Sequence, residues 1–272
     1  MQYLTETLKT PLSETARMTG YILDNSSEVD EKRVRPAVII CPGGGYRFTS
    51  DREAEPIAVK MSSFGLQAFV VRYSVAPARY PTALYELAAA VKLVRENASQ
   101  YHVDPNKIIV LGFSAGGHLA ANLATVWNQP ILEQGGFTAA DCQPNALVLG
   151  YPVITSGTFA HEDSFRALLG EDATEQQLSA VSLEKQVSEN TPPTFIWTVA
   201  DDEVVPAENS LMFAQALKKA GVSCELHVFR HGYHGMSLGT KETTNPAAGE
   251  MISPTVAIWT ELLANWVNEV FE

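Results

Sequence analysis

The chain has 272 residues, 46% of them hydrophobic and 18% charged, with a formal net charge of −12. That length suits one large α/β domain, and the apolar share supports a sizeable buried core and excludes a disordered chain. The acidic balance, unbroken by any Lys/Arg run, argues against nucleic acid and anionic membrane surfaces as partners, since both reward clustered cations.

In chain order, the N-terminal segment carries no apolar core of signal-peptide length and no small-residue cleavage site. No stretch approaches the ~20 apolar residues of a membrane span, so a cytoplasmic protein without a membrane partner is expected. Segment 34–41, VRPAVIIC, is a continuous apolar run after a charged loop, the pattern of a strand covered on both faces. A helix is predicted over 53–65, ending at Gly65, then a strand over 66–75 and an amphipathic helix over 81–101 with Pro81 near its first turn. A strand at 107–113 leads into a helix at 115–127, and a further strand covers 145–154. The polar, acidic stretch 155–193 breaks the alternation and reads as a short helical, cap-like insertion. Strand 194–200, helix 206–221, strand 223–229 and helix 254–271 complete the pattern. The last helix sets Trp259, Leu262, Leu263, Trp266 and Val270 at core-facing spacing.

Strands alternating with helices imply right-handed crossovers and a mostly parallel central sheet with helices on both faces. No repeat and no linker divides the chain, so residues 1–272 are read as one domain. Cys41, Cys142 and Cys224 are odd in number and widely spaced, without CxxC or His-rich spacing. They read as reduced thiols, neither a disulfide framework nor a metal site, and none has the surroundings of a nucleophile.

The chemistry centres on GFSAG, residues 112–116, between the strand and the helix. A Gly-x-Ser-x-Gly at that junction lets Ser114 stand on a tight turn with its hydroxyl beyond the sheet, the flanking glycines allowing helix and strand to approach. A serine hydroxyl is a poor nucleophile at neutral pH and needs a base held by an acid. Both are offered after later strands: Asp201 and Asp202 in DDEVVP, His231 and His234 in RHGYHG. His234 is preferred as base because it lies further past the strand end and precedes Gly235; His231 is left to shape the loop. Asp201 is preferred as acid because it leads the Asp-x-x-Val spacing to Val204, with Asp202 as the alternative. His118, four residues after Ser114, is placed behind the nucleophile, and His102, His161 and His227 at surface, insertion or strand positions. The glycine run in CPGGGY, 41–46, follows a strand, so Gly44 and Gly45 can turn N–H groups toward a developing oxyanion, with Ala115 adding another. A phosphate cradle is the competing use of such a run, but neither Gly-Lys-Ser/Thr nor GxGxxG is present.

In this order and spacing, PGGGY, GFSAGGHLA, DDEVVPAENS and GYHG resemble the α/β-hydrolase superfamily, within it the acetyl esterase/lipase-like branch and its bacterial acetyl-xylan-esterase-like members. The resemblance covers about residues 35–270. It implies an α/β-hydrolase fold, with Ser114 as nucleophile, His234 as base, Asp201 as orienting acid, and Gly44, Gly45 and Ala115 forming the oxyanion hole. It further implies a serine carboxylesterase with no metal or organic cofactor, and the short 155–193 insertion, without a large apolar lid, favours short-chain acyl esters, acetylated sugars among them. The expected partner is a small-molecule ester; the sequence is compatible with a homodimer but does not specify one. The rivals are a prolyl-oligopeptidase-like peptidase and a non-enzymatic hydrolase-fold binding protein. One departure stands out: hormone-sensitive-lipase-like relatives carry His-Gly-Gly-Gly, whereas Pro42 occupies the histidine's place here. Something else must then brace the glycine loop.

Overall fold

The computed structural model describes residues 1–246 and 252–272. Its strands are β1 (Gln2–Thr7), β2 (Arg17–Ile22), β3 (Arg35–Cys41), β4 (Gln67–Arg72), β5 (Val103–Phe113), β6 (Ala146–Gly150), β7 (Thr194–Val199) and β8 (Cys224–Phe229). They lie in one sheet in the order β1-β2-β4-β3-β5-β6-β7-β8. From β4 across to β8 every neighbouring pair is parallel, while β1 and β2 extend the sheet in antiparallel fashion.

The helices are α1 (Glu55–Ser63), α2 (Thr82–Glu96), α3 (Ser114–Val126), α4 (Pro130–Gln134), α5 (Ala139–Cys142), α6 (Glu162–Leu169), α7 (Glu175–Ala180), α8 (Glu208–Lys219), α9 (Pro254–Ala257) and α10 (Trp259–Phe271). Because strand side chains alternate between faces, β3 sends Val38 and Ile40 to one core and Ile39 and Cys41 to the other. The first core packs against α1 and α10 through Ile57, Met61, Trp259, Leu263 and Trp266. The second packs against α2, α3 and α8 through Leu87, Val91, Leu119, Leu123, Phe213 and Leu217. This is the arrangement expected of the α/β-hydrolase fold. No helix among the described residues is long and apolar enough to cross a membrane.

Several elements differ from the sequence expectation, among them α4 and α5, which lie where it placed no element. The β1–β2 hairpin is absent from it: β1 is exposed at almost every residue and shows no apolar run, and β2, though mostly buried, interrupts its apolar residues with Thr19 and Gly20. The helix expected over 53–65 splits into a short 3-10 turn, Asp51–Glu53, and α1, and Gly65 ends it with φ +84°. The C-terminal helix is broken between α9 and α10, but its tryptophans fill the core as expected: Trp259 stacks on Trp197 at 5.1 Å. The insertion after β6 holds α6, α7 and a 3-10 turn at Leu183–Lys185, and Phe165, Leu168 and Leu183 join the core shared with α3.

Candidate active site

Strand β5 ends at Phe113 and α3 begins at Ser114, whose φ of +52° is rare for a residue with a Cβ. The glycines on either side are required by contact. A Cβ on Gly112 would stand 2.1 Å from the Gly116 carbonyl oxygen, and one on Gly116 would stand 2.1 Å from that of Cys41. Neither approach is possible for any other residue, so the Gly-x-Ser-x-Gly spacing is a packing requirement of the turn. Tyr46 (φ +56°), Tyr151 (φ +36°) and Ser237 (φ +53°) lie in three other loops that converge on the site. Such concentration of costly backbone conformations is typical of sites where geometry is over-determined by the surroundings.

Ser114 Oγ lies 2.8 Å from His234 Nε2, and His234 Nδ1 lies 2.8 Å from Asp202 Oδ2. An ionised carboxylate only accepts, so Nδ1 carries the proton, and Nε2 presents its lone pair to the serine hydroxyl. Asp202 Oδ1 accepts from the backbone N–H groups of Val204 and Val205, both at 2.9 Å. Its side chain is fully buried, and that of His234 is 18% exposed.

This corrects the choice of Asp201. That residue points outward, half-exposed, and accepts from His231 Nδ1 and from the Gly232 N–H at 2.9 Å each. These two hydrogen bonds hold its carboxyl below the usual carboxylate range. The reason is local: β7 ends at Val199, the chain turns through Ala200 and Asp201, and the inward position falls one residue later. The Asp-x-x-Val spacing pointed to the wrong partner, because the N–H groups of Val204 and Val205 turn back on Asp202. His231 shapes the loop by pairing with Asp201, as expected.

Gly44 and Gly45 line the cleft with Ser114 and His234, at φ +131° and +63°. Ala115 is fully buried in the first turn of α3, where backbone N–H groups have no intrahelical acceptor. Gly43 is different: its N–H donates to Glu53 Oε2 at 2.7 Å. Glu53 is 3% exposed, and its other oxygen accepts from the Tyr151 hydroxyl at 2.6 Å. Tyr73 adds a hydrogen bond to the Pro42 carbonyl at 2.6 Å. This is the bracing that the missing histidine left open. Sequence reasoning missed Glu53, because a single acidic residue in a short turn carries no periodicity that marks it as buried. Tyr151 was findable, since it stands just past the end of β6, where open α/β sheets place their sites.

His118 is buried in α3, four residues after Ser114. Its Nδ1 accepts from the Tyr46 hydroxyl at 2.9 Å and its Nε2–H donates to the Val181 carbonyl at 2.8 Å. Burial pushes its pKa down to about 4, so the ring is neutral at neutral pH and ties the glycine loop to the insertion. His161, expected to be an ordinary insertion residue, lines the cleft with Asp163, Arg47 and Phe48. It is half-buried, its Nδ1 is 2.8 Å from Ser164 Oγ, and desolvation followed by the neighbouring His234 lowers its pKa. Among the described residues, no group of three or more His, Cys, Asp or Glu side chains is placed to hold a metal ion.

Residues 23–217 match the model of the BD-FAE family, well over half of the chain. The chain belongs to the BD-FAE family. Among its curated relatives, endo-1,4-beta-xylanase B of Butyrivibrio fibrisolvens is 37% identical over 212 residues, which cover 76% of this chain and 33% of that protein. The acetylxylan esterase of Xylanibacter ruminicola is 29% identical over 210 residues, 75% of this chain and 42% of that protein. This BD-FAE chain thus spans less than half the length of these curated relatives. Of the solved structures, an acetyl ester-xyloside bifunctional hydrolase of Caldicellulosiruptor lactoaceticus has a TM-score of 0.83 and 39% identity, covering 94% of this chain and 89% of that one. A carboxylesterase of Lactobacillus plantarum has a TM-score of 0.85 and 32% identity, covering 99% and 98%. The α/β-hydrolase fold is therefore shared along nearly the whole chain.

Proposed function

We propose that the protein is a serine carboxylesterase that cleaves short-chain acyl esters, acetylated sugars among them, through Ser114, His234 and Asp202. The observation that carries this reading is the unbroken chain of two 2.8 Å contacts from the serine hydroxyl through the imidazole to a buried carboxylate. Relatives and structural neighbours named as acetylxylan esterase, acetyl ester-xyloside hydrolase and carboxylesterase support it.

In this mechanism Ser114 attacks the ester carbonyl while His234 Nε2 takes its proton, and Asp202 stabilises the imidazolium that forms. The oxyanion is held by the N–H of Ala115 with those of Gly44 and Gly45; Gly43 is engaged by Glu53 and does not take part. His234 then returns its proton to the leaving alcohol, and water hydrolyses the acyl-enzyme by the same route. The cleft of about 280 Å³ is near the lower limit for ligand sites, which suits a small acyl group. Arg47, His161 and Asp163 give it polar groups suited to a hydroxyl-bearing alcohol.

Initial rates on p-nitrophenyl esters from acetate to palmitate, alongside acetylated xylo-oligosaccharides, test this reading. kcat/KM is expected to fall at least about tenfold from acetate to octanoate, because each methylene beyond the cleft's capacity is worth about 1–3 kcal/mol. A preference for long chains, or turnover of aminoacyl-p-nitroanilides in place of esters, would contradict it.

A further inference from the structure

We propose that Glu53 is a positioning residue of this site. One buried carboxylate holds the glycine loop and the histidine loop in register with Ser114; this rests on the esterase reading above. Gly43 is sandwiched between the two: a Cβ there would stand 2.8 Å from Glu53 Oε2 and 2.9 Å from Ser114 Cβ. On the other side, Tyr151 donates its O–H to Glu53 Oε1 and accepts the Ser237 N–H at 3.0 Å, three residues beyond His234. The Tyr151 ring meets the His234 ring edge-on, with centroids 5.1 Å apart. Two further bonds fasten the same short turn to both loops: Ser50 N–H to the Gly43 carbonyl at 2.9 Å, and Ser237 O–H to the Arg52 carbonyl at 2.5 Å.

The arrangement has a direction. Hydrogen bonds to an ionised acceptor are roughly twice as strong as neutral ones, so the carboxylate fixes the Gly43 N–H and the Tyr151 O–H firmly toward itself. Turning the Gly43 N–H inward leaves the next two residues to face the cleft, where both are found. A glutamine at this position has almost the same volume but cannot accept from both sides. Its oxygen can serve Gly43, but its NH2 then faces a tyrosine hydroxyl that already receives the Ser237 N–H.

Steady-state kinetics of Glu53→Gln, Tyr151→Phe and the double variant on the best short-chain ester, with thermal midpoints measured in parallel, test the proposal. Glu53→Gln is expected to lower kcat by about 10- to 100-fold with KM changed less than about threefold, since a misplacement of about 1 Å costs up to about 10² in rate. Tyr151→Phe keeps the ring and removes only the link, so it should lower kcat in the same sense, and the double variant should be no worse than the poorer single one. Three outcomes would overturn the proposal: kcat unchanged in either variant, a loss confined to KM, or losses that multiply in the double variant. A lowered thermal midpoint with kcat retained would likewise assign Glu53 to the fold alone. If the wild-type chain turned over no ester, the esterase reading would fall and this proposal with it; unaffected variants of an active chain overturn only the proposal.

Discussion

Replacing Asp202 by asparagine is expected to lower kcat by about 10⁴, while Asp201→Asn stays within about threefold of the wild type. Donor and acceptor polarity sets the difference. Asp202 Oδ1 accepts two backbone N–H groups, from Val204 and Val205. An asparagine must turn its carbonyl oxygen toward that pair, because its NH2 cannot face two donors. The NH2 then faces His234 Nδ1 and forces the ring proton onto Nε2. In that tautomer the imidazole cannot take the serine proton, although the fold is unchanged. Asp201 has no such leverage, since its carboxylate pairs with His231, which is 71% exposed, while His234 pairs with Asp202. Exposed pairs of this kind contribute little to stability. Side-by-side kinetics of the two variants on one short-chain ester check the result, and collapse in Asp201→Asn instead would return the acid to the position chosen from spacing.

The second large effect separates catalysis from stability at the nucleophile. Ser114→Ala and Ser114→Gly should each lower kcat/KM by about 10⁶, the scale seen when a triad nucleophile is removed. The two should nonetheless differ in stability. Alanine keeps a Cβ at φ +52°, a left-handed conformation that costs an L-residue roughly 1–2 kcal/mol, whereas glycine adopts it freely. Glycine also loses more chain entropy on folding, by about 0.5–1 kcal/mol, which reduces the gap. The glycine variant should therefore be the more stable by about 1 kcal/mol, or roughly 2–4 °C in thermal midpoint for a chain of this size. Equal midpoints, or a more stable alanine variant, would show that the serine turn stores no strain.

How much of the site could be read in the sequence follows from the range of the forces involved. Ser114 was legible because strand, glycine-bounded turn and helix are local features, each with its own pattern, and the backbone contacts of Gly112 and Gly116 explain why that pattern is needed. His234 was legible by its place after a strand. The acid was ambiguous between neighbours, because which of Asp201 and Asp202 faces inward depends on the residue at which β7 stops. A one-residue shift there exchanges solvent for core, and no composition signal marks it. Glu53 was not legible at all: its partners are 10 and 98 residues away along the chain, so its burial is a tertiary fact. The edge strand β1 escaped for the opposite reason, as an exposed edge strand has too little burial to impose an alternating pattern.

In the proposed mechanism Ser114 is a nucleophile activated through His234 by Asp202. Reaction with a fluorophosphonate probe, followed by peptide mass spectrometry, tests it most directly, because the probe bonds covalently to an activated serine oxygen with loss of fluoride. One adduct is expected, on Ser114, formed at a wild-type rate in Asp201→Asn and far more slowly in Asp202→Asn. An unlabelled chain, an adduct on another residue, or fast labelling of the Asp202→Asn variant would contradict it.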